Sequence, residues 1–237
     1  MTTLVLTAHG SADPRSAANA CDVARQVARI RTGLDVRVAF CEHNSPGLVE
    51  VLNECSGEAV VTPLLLADAY HARIDIPRQI ASCSASDRVL QADVLGEDDR
   101  LVSVLRQRVA ESMVSRLDDT VGVLVVAIGS SNPAANARTA QVAPKLATGT
   151  QWAAVATAFA TRPERSLPEA VKRLRHQGAQ RVVIAPWFLA PGRIPDRVER
   201  FARAAGITMA APLGAHRLVA ETVLDRFDQA MAERIAA

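Results

Sequence analysis

Residues 4–15 read Leu4-Val5-Leu6-Thr7-Ala8-His9-Gly10-Ser11-Ala12-Asp13-Pro14-Arg15. An apolar run ends at a histidine, a glycine frees the backbone to turn, and Asp13-Pro14 supplies a capping acid followed by a first-turn proline. Strand, turn and helix therefore follow within a dozen residues. His9 falls at the carboxyl end of that strand, the edge of an open α/β sheet where loops leave a crevice for ligands. A histidine there is either a ligand or base, or a turn residue bonded to a neighbouring carbonyl.

The same alternation continues outward from this stretch. Strands are expected over 3–8, 35–40, 59–66 and 89–94, with helices over 15–30, 46–54, 74–81 and 98–113; Ser45-Pro46 reads as a second cap and first-turn proline. From Thr120 the pattern restarts: Val123-Leu124-Val125-Val126-Ala127 leads into Ile128-Gly129-Ser130-Ser131-Asn132-Pro133. His9 corresponds to Ile128, a shift of 119 residues, and Ala39-Phe40 recurs as Ala158-Phe159 at the same shift. Pro63 matches Pro186, and Leu95-Gly96 matches Leu213-Gly214. Ser166 with Glu169 three residues later reads as a capping box. The expectation is an α/β protein with two tandem βα domains, residues 1–117 and 118–237. Each should carry a four-stranded parallel sheet flanked by helices, and the two should face each other across a cleft.

With 237 residues and 49% hydrophobic content the chain can bury a substantial core. Its 27 Lys and Arg against 25 Asp and Glu leave a net charge of only +2, which excludes the broad basic field of a nucleic-acid binder. One Tyr, two Trp and five Phe are too few for base-stacking platforms. Cys21, Cys41, Cys55 and Cys83 form no C-x-x-C pair and read as thiols of a reducing compartment. No secretory leader precedes the first strand and no apolar run spans a bilayer, so a cytoplasmic protein is expected. G-x-G-x-x-G and G-x-x-x-x-G-K are both missing after the first strand, which argues against nucleotide folds. Ala8 stands where a histidine phosphatase would carry arginine.

The repeat acts as an internal control on the polar loop residues. His9 becomes Ile128 and Glu42 becomes Thr161, while three residues around Ala69-Tyr70-His71 have no counterpart in the second copy. Only the first copy keeps ionisable groups after strands one, two and three. Parallel strands bring those loops to one edge, so His9, Glu42 and His71 form a candidate open site for a divalent first-row metal, or a set of proton acceptors. Three unrelated loop residues would be the plainer reading, and their joint loss from the second copy argues against it.

These residues resemble a known family. Ala8-His9-Gly10-Ser11 with Asp13-Pro14-Arg15, Phe40-Cys41-Glu42 with Ser45-Pro46, and Pro63-Leu64-Leu65-Leu66 leading to His71 and Asp75-Ile76-Pro77-Arg78 are similar to the CbiX/SirB sirohydrochlorin chelatases in their long two-domain form. One departure is Ala67-Asp68-Ala69-Tyr70 before His71, where the family usually carries a glycine. The resemblance implies an ATP-independent lyase that inserts Fe²⁺ or Co²⁺ into a tetrapyrrole, for siroheme or cobalamin, with no organic cofactor. It implies His9, His71 and Glu42 as catalytic and metal-holding residues, the imidazoles binding the ion and taking macrocycle protons. A non-catalytic metal or tetrapyrrole carrier is the alternative. The partners would be anionic sirohydrochlorin and a divalent metal, with no nucleic acid or membrane, and the chain a monomer or weak dimer. A nearly neutral protein must meet the substrate carboxylates with placed donors, for which Ser11, Arg15, Arg73, Arg138, Arg162 and Arg193 are candidates. His43, adjacent to Glu42, should point to the opposite side in extended backbone and ranks as no more than a spare ligand. His216 is expected to play a structural part at the start of the last helix.

Overall fold

The computed structural model describes residues 2–161 and 163–236. It divides into two compact units, Met1–Gly96 with Ala215–Ala237, and Glu97–Gly214.

The first unit contains β1 (Thr3–Ala8), α1 (Pro14–Ile30), β2 (Asp35–Phe40), α2 (Leu48–Asn53), β3 (Ala59–Pro63), α3 (Ile76–Ser82) and β4 (Val89–Gln91). Its sheet is parallel throughout in the order β2-β1-β3-β4. The central strand β1 is buried along its whole length, with Leu4, Val5 and Leu6 inaccessible to solvent. Burial on both faces is why it reads as a continuous apolar run and not as an alternation. In α1, Asp13 accepts from the Arg15 backbone N–H at 3.0 Å, Pro14 fills the first turn, and Ala20, Val23, Ala24 and Val27 form the buried stripe. Ala8 pairs with Phe40 and Thr7 with Pro63, so the chain leaves all three strands at one edge.

The second unit contains α4 (Asp99–Glu111), β5 (Val121–Ala127), α5 (Pro133–Ala140), α6 (Val142–Ala147), β6 (Ala154–Phe159), α7 (Pro163–His176), β7 (Arg181–Pro186), α8 (Arg193–Ala204) and β8 (Thr208–Met209). Its order β6-β5-β7-β8 reproduces that of the first sheet. The register repeats as well: Ala127 pairs with Phe159 as Ala8 does with Phe40, and Val126 with Pro186 as Thr7 does with Pro63. The final helix, α9 (Arg217–Ala236), packs on α1 and β3 of the first unit. Its His216 Nδ1 accepts the Leu218 N–H at 3.1 Å, the structural part expected of that residue.

Several sequence expectations are corrected here. The compact units are not residues 1–117 and 118–237, because α4 packs on α6 and β7 of the second unit while α9 returns to the first. Each repeat thus lends its last helix to the other sheet, and periodicity along a chain does not say which sheet a helix covers. α2 starts at Leu48 and not Pro46, since the Pro46 carbonyl is used by the Phe40 N–H at 3.0 Å; the cap is Gly47, whose N–H donates to Glu50. Ser166 lies inside α7 and donates to the Phe159 carbonyl at 2.7 Å, so it is not an N-cap. β3 stops at Pro63, and β4 at Gln91, short of the expected ends.

Candidate active site

His9 is the first residue after β1, and its neighbour Gly10 adopts φ +96, a left-handed backbone that glycine tolerates best. The turn lets the loop after β2 pack directly over it. Glu42 N–H donates to the His9 carbonyl at 3.0 Å, and the Ser11 N–H donates to Asn44 Oδ1 at 2.7 Å. These bonds bring the Glu42 side chain beside His9. Oε1 of Glu42 lies 3.1 Å from the buried Nδ1 of His9, off the line that a hydrogen bond requires, so the two are in contact without a hydrogen bond.

The third loop supplies His71 through a π-helical turn, His71–Asp75, in which the Ile76 N–H reaches back to the His71 carbonyl. Turns of this kind insert an extra residue into a helix and often mark functional positions. Gln91 Nε2 donates to the Ala72 carbonyl at 2.7 Å and steadies the turn from β4. Asp75 Oδ2 stands 2.6 Å from His71 Nδ1. A carboxylate at that distance fixes the tautomer with the proton on Nδ1 and leaves Nε2 as a neutral donor atom for a metal. The corresponding stretch of the second unit runs into the first turn of α8, where Arg193-Ile194 occupies the place of Arg73-Ile74.

The rings of His9 and His71 touch, with centroids 3.9 Å apart and planes tilted by 46°. The three predicted residues are thus gathered at the edge of the first sheet, with Glu42 and His71 both against His9. Among the described residues, no three His, Cys, Asp or Glu side chains converge on one point where an ion could sit. The donors are instead arranged as successive pairs around His9. Such an arrangement suits an ion that must be handed on, because release is slow from a closed cage of three or four ligands.

Sequence reasoning missed three contributors. Asp75 is one helical turn from His71, and the H-x-x-x-D spacing was the available signal. Asn44 carried none. His43 does not point away, because the backbone is not extended there: it has φ +64, and the Asn44 N–H closes a tight turn onto the Glu42 carbonyl at 2.8 Å. Its ring stacks over His9 at 6.3 Å with an interplanar angle of 21°. Cys41 lies close by, but burial first, then the charges of Asp75 and Glu42, push its thiol up to about 11. It therefore stays protonated near neutrality.

The proposed substrate contacts fall into two groups. Ser11 Oγ accepts the Asp13 N–H at 3.0 Å and keeps a hydroxyl proton to donate. Arg15 is held in a two-point pair with Asp13, at 3.0 and 2.6 Å, and Arg73 in another with Asp68. Both are exposed and border the His9 and His71 loops. Arg138, in the last turn of α5, and Arg193, which opens α8, are exposed residues of the second unit. Arg162 lies outside the described residues. In the second unit Ile128 occupies the His9 position and is 48% exposed, and Gly129 (φ +91) turns as Gly10 does, against Phe159 and Thr161.

Known proteins share both the sequence and the architecture. A sirohydrochlorin ferrochelatase from Priestia megaterium is 28% identical over 185 residues, covering 73% of this chain and 68% of that protein. A sirohydrochlorin cobaltochelatase from the same organism is 27% identical over 178 residues, covering 71% of this chain and 58% of the relative. The structure of SirB from Bacillus subtilis with Fe³⁺ superposes with a TM-score of 0.82 at 21% identity, over 99% of this chain and 97% of that one, a likeness of fold. The CbiX family model matches residues 3–112 and again 122–230, once for each copy of the repeat. The chain belongs to the CbiX family.

Proposed function

We propose that this protein is a sirohydrochlorin chelatase that inserts Fe²⁺ or Co²⁺ into the macrocycle without ATP. The observation that carries this reading is the pair of touching imidazoles, His9 and His71, at the ligand-binding edge of the first sheet with Glu42 and Asp75 beside them. The names of the relatives, ferrochelatase and cobaltochelatase, support the same reaction.

Insertion exchanges two pyrrole protons for one divalent ion: two N–H bonds break, metal–nitrogen bonds form, and two protons must leave. An imidazole that gives up the ion regains a lone pair at the moment a proton needs an acceptor. Two imidazoles therefore match the two protons. Asp75 keeps the His71 lone pair on Nε2, and Glu42 offsets the charge as the ion and protons pass. Neither step calls for an organic cofactor, and the metal is a substrate. Ser11, Arg15 and Arg73 border the site and would meet carboxylates of the tetrapyrrole rim, Arg15 and Arg73 by exchanging their aspartate partners. Arg138, Arg162 and Arg193 are the candidate anion-binding residues of the second copy, which has lost the ionisable set.

No helix among the described residues is long and apolar enough to cross a membrane. The small net charge accords with a protein that has no nucleic-acid partner, and we further propose that it is a cytoplasmic monomer or weak dimer. The test mixes purified protein with sirohydrochlorin and Fe²⁺ or Co²⁺ under anaerobic conditions. Faster absorbance change than the spontaneous reaction supports an enzyme, and an unchanged rate with tight binding of either component supports a carrier.

A further inference from the structure

We propose that His43 is the entry ligand for the metal, taking the incoming ion together with Glu42 before His9 and His71 receive it. This rests on the chelatase reading above and extends it to how the ion arrives. Nε2 of His43 lies 3.8 Å from Oε1 of Glu42, the same oxygen that stands 3.1 Å from Nδ1 of His9. Two donors that each bind one first-row ion at about 2.1 Å stand roughly 3–4 Å apart, so both separations fit a shared ion. Glu42 Oε1 belongs to both pairs. An ion held by His43 and Glu42 can pass to Glu42 and His9 while the carboxylate keeps hold, and then to His9 and His71, whose rings already touch.

The backbone supports a selected position. A positive φ is uncommon outside glycine and marks a residue held by its surroundings. His43 has φ +64 and is fastened there by the Asn44 N–H on the Glu42 carbonyl and by Asn44 Oδ1 on the Ser11 N–H. The result turns its ring over His9 when an extended strand end would send it away. At 56% exposure it is the most open of the three histidines and the first that a hydrated ion would meet.

His43→Asn keeps a residue that accepts positive φ and removes the imidazole, while His43→Asp keeps the backbone preference and restores a metal donor. Two measurements are made on each full-length protein: Co²⁺ binding without tetrapyrrole, by calorimetry and visible absorption, and the rate of insertion against Co²⁺ concentration at saturating sirohydrochlorin. For His43→Asn, Co²⁺ affinity and the metal KM should both worsen about tenfold, in line with the loss of a supporting metal contact. The kcat and the KM for sirohydrochlorin should hold. His43→Asp should recover most of the metal KM. Wild-type metal affinity and KM in His43→Asn would overturn the proposal, as would equal impairment of both variants, which would assign His43 to loop positioning. A wild-type protein that binds Co²⁺ but fails to speed insertion would instead sink the chelatase reading, so the two failures are distinct.

Discussion

A Cβ atom on residue 10 would stand 1.7 Å from the carbonyl oxygen of Glu42. Glycine at this position is what allows the loop after β2 to lie against the turn after β1, and that contact sets Glu42 beside His9. Gly10→Ala is therefore expected to lower stability by about 2 kcal/mol or more, from strain at φ +96 combined with backbone overlap, and to abolish insertion. Gly33 offers the control. It has φ +88 but open space around it, so Gly33→Ala should cost only about 1 kcal/mol and leave insertion intact. Urea unfolding and the insertion assay on both variants check the contrast.

Asp75 orients His71 without taking the ion itself. Asp75→Ala should weaken metal use by about 10–100-fold with the fold retained, whereas Asp75→Asn, which can still accept from Nδ1, should be milder. The check is the metal KM of each variant alongside its circular dichroism. Equal, wild-type behaviour in both would remove Asp75 from the site.

The cysteines should differ sharply toward iodoacetamide at pH 8. Cys21 is exposed and should react first; Cys41, pushed up to about 11, and the buried Cys55 and Cys83 should lag. Because Asp75 and Glu42 both hold the Cys41 thiol protonated, Asp75→Asn should quicken its labelling. The sign for stability follows. The native thiol titrates above its ordinary value of 9.0, so its contribution is complete below about pH 9 and is lost as pH rises toward about 11. Mass spectrometry of labelled peptides gives the order, and unfolding at pH 8 against pH 10.5 gives the trend, to which Tyr and Lys titration will add.

α9 belongs to the first unit although it ends the second repeat. Phe227 is buried at 6% exposure, and Phe227→Ala should destabilise by about 3–5 kcal/mol. Hydrogen exchange should then accelerate in α1 and β3, against which α9 packs, more than in β5 and β7. Faster exchange confined to the second sheet would return α9 to its own repeat.

β1 was legible because a fully buried parallel strand leaves an uninterrupted apolar run, while the half-buried β2 was legible from the alternation of Val36, Val38 and Phe40 with polar or small residues. The gathering of His9, Glu42 and His71 followed from topology, since parallel strands release their loops at one edge. The helix exchange was not legible, because buried positions such as Leu101, Leu105 and Val109 in α4 or Val219, Val223 and Phe227 in α9 do not name the sheet that covers them. His43 was misread for a local reason: alternation of side chains holds only in extended backbone, and a single positive φ reverses it. The end of β3 was overrun because Leu64-Leu65-Leu66 stays apolar after the ladder stops; the Leu64 N–H still bonds the Thr7 carbonyl at 2.8 Å, but the strand has ended.

The most direct test follows Co²⁺ insertion into sirohydrochlorin, anaerobically, with His9→Ala and His71→Ala beside the wild type. Each variant should retain native circular dichroism and fall to the spontaneous rate. Wild-type turnover in either one would contradict an insertion site built from these two imidazoles.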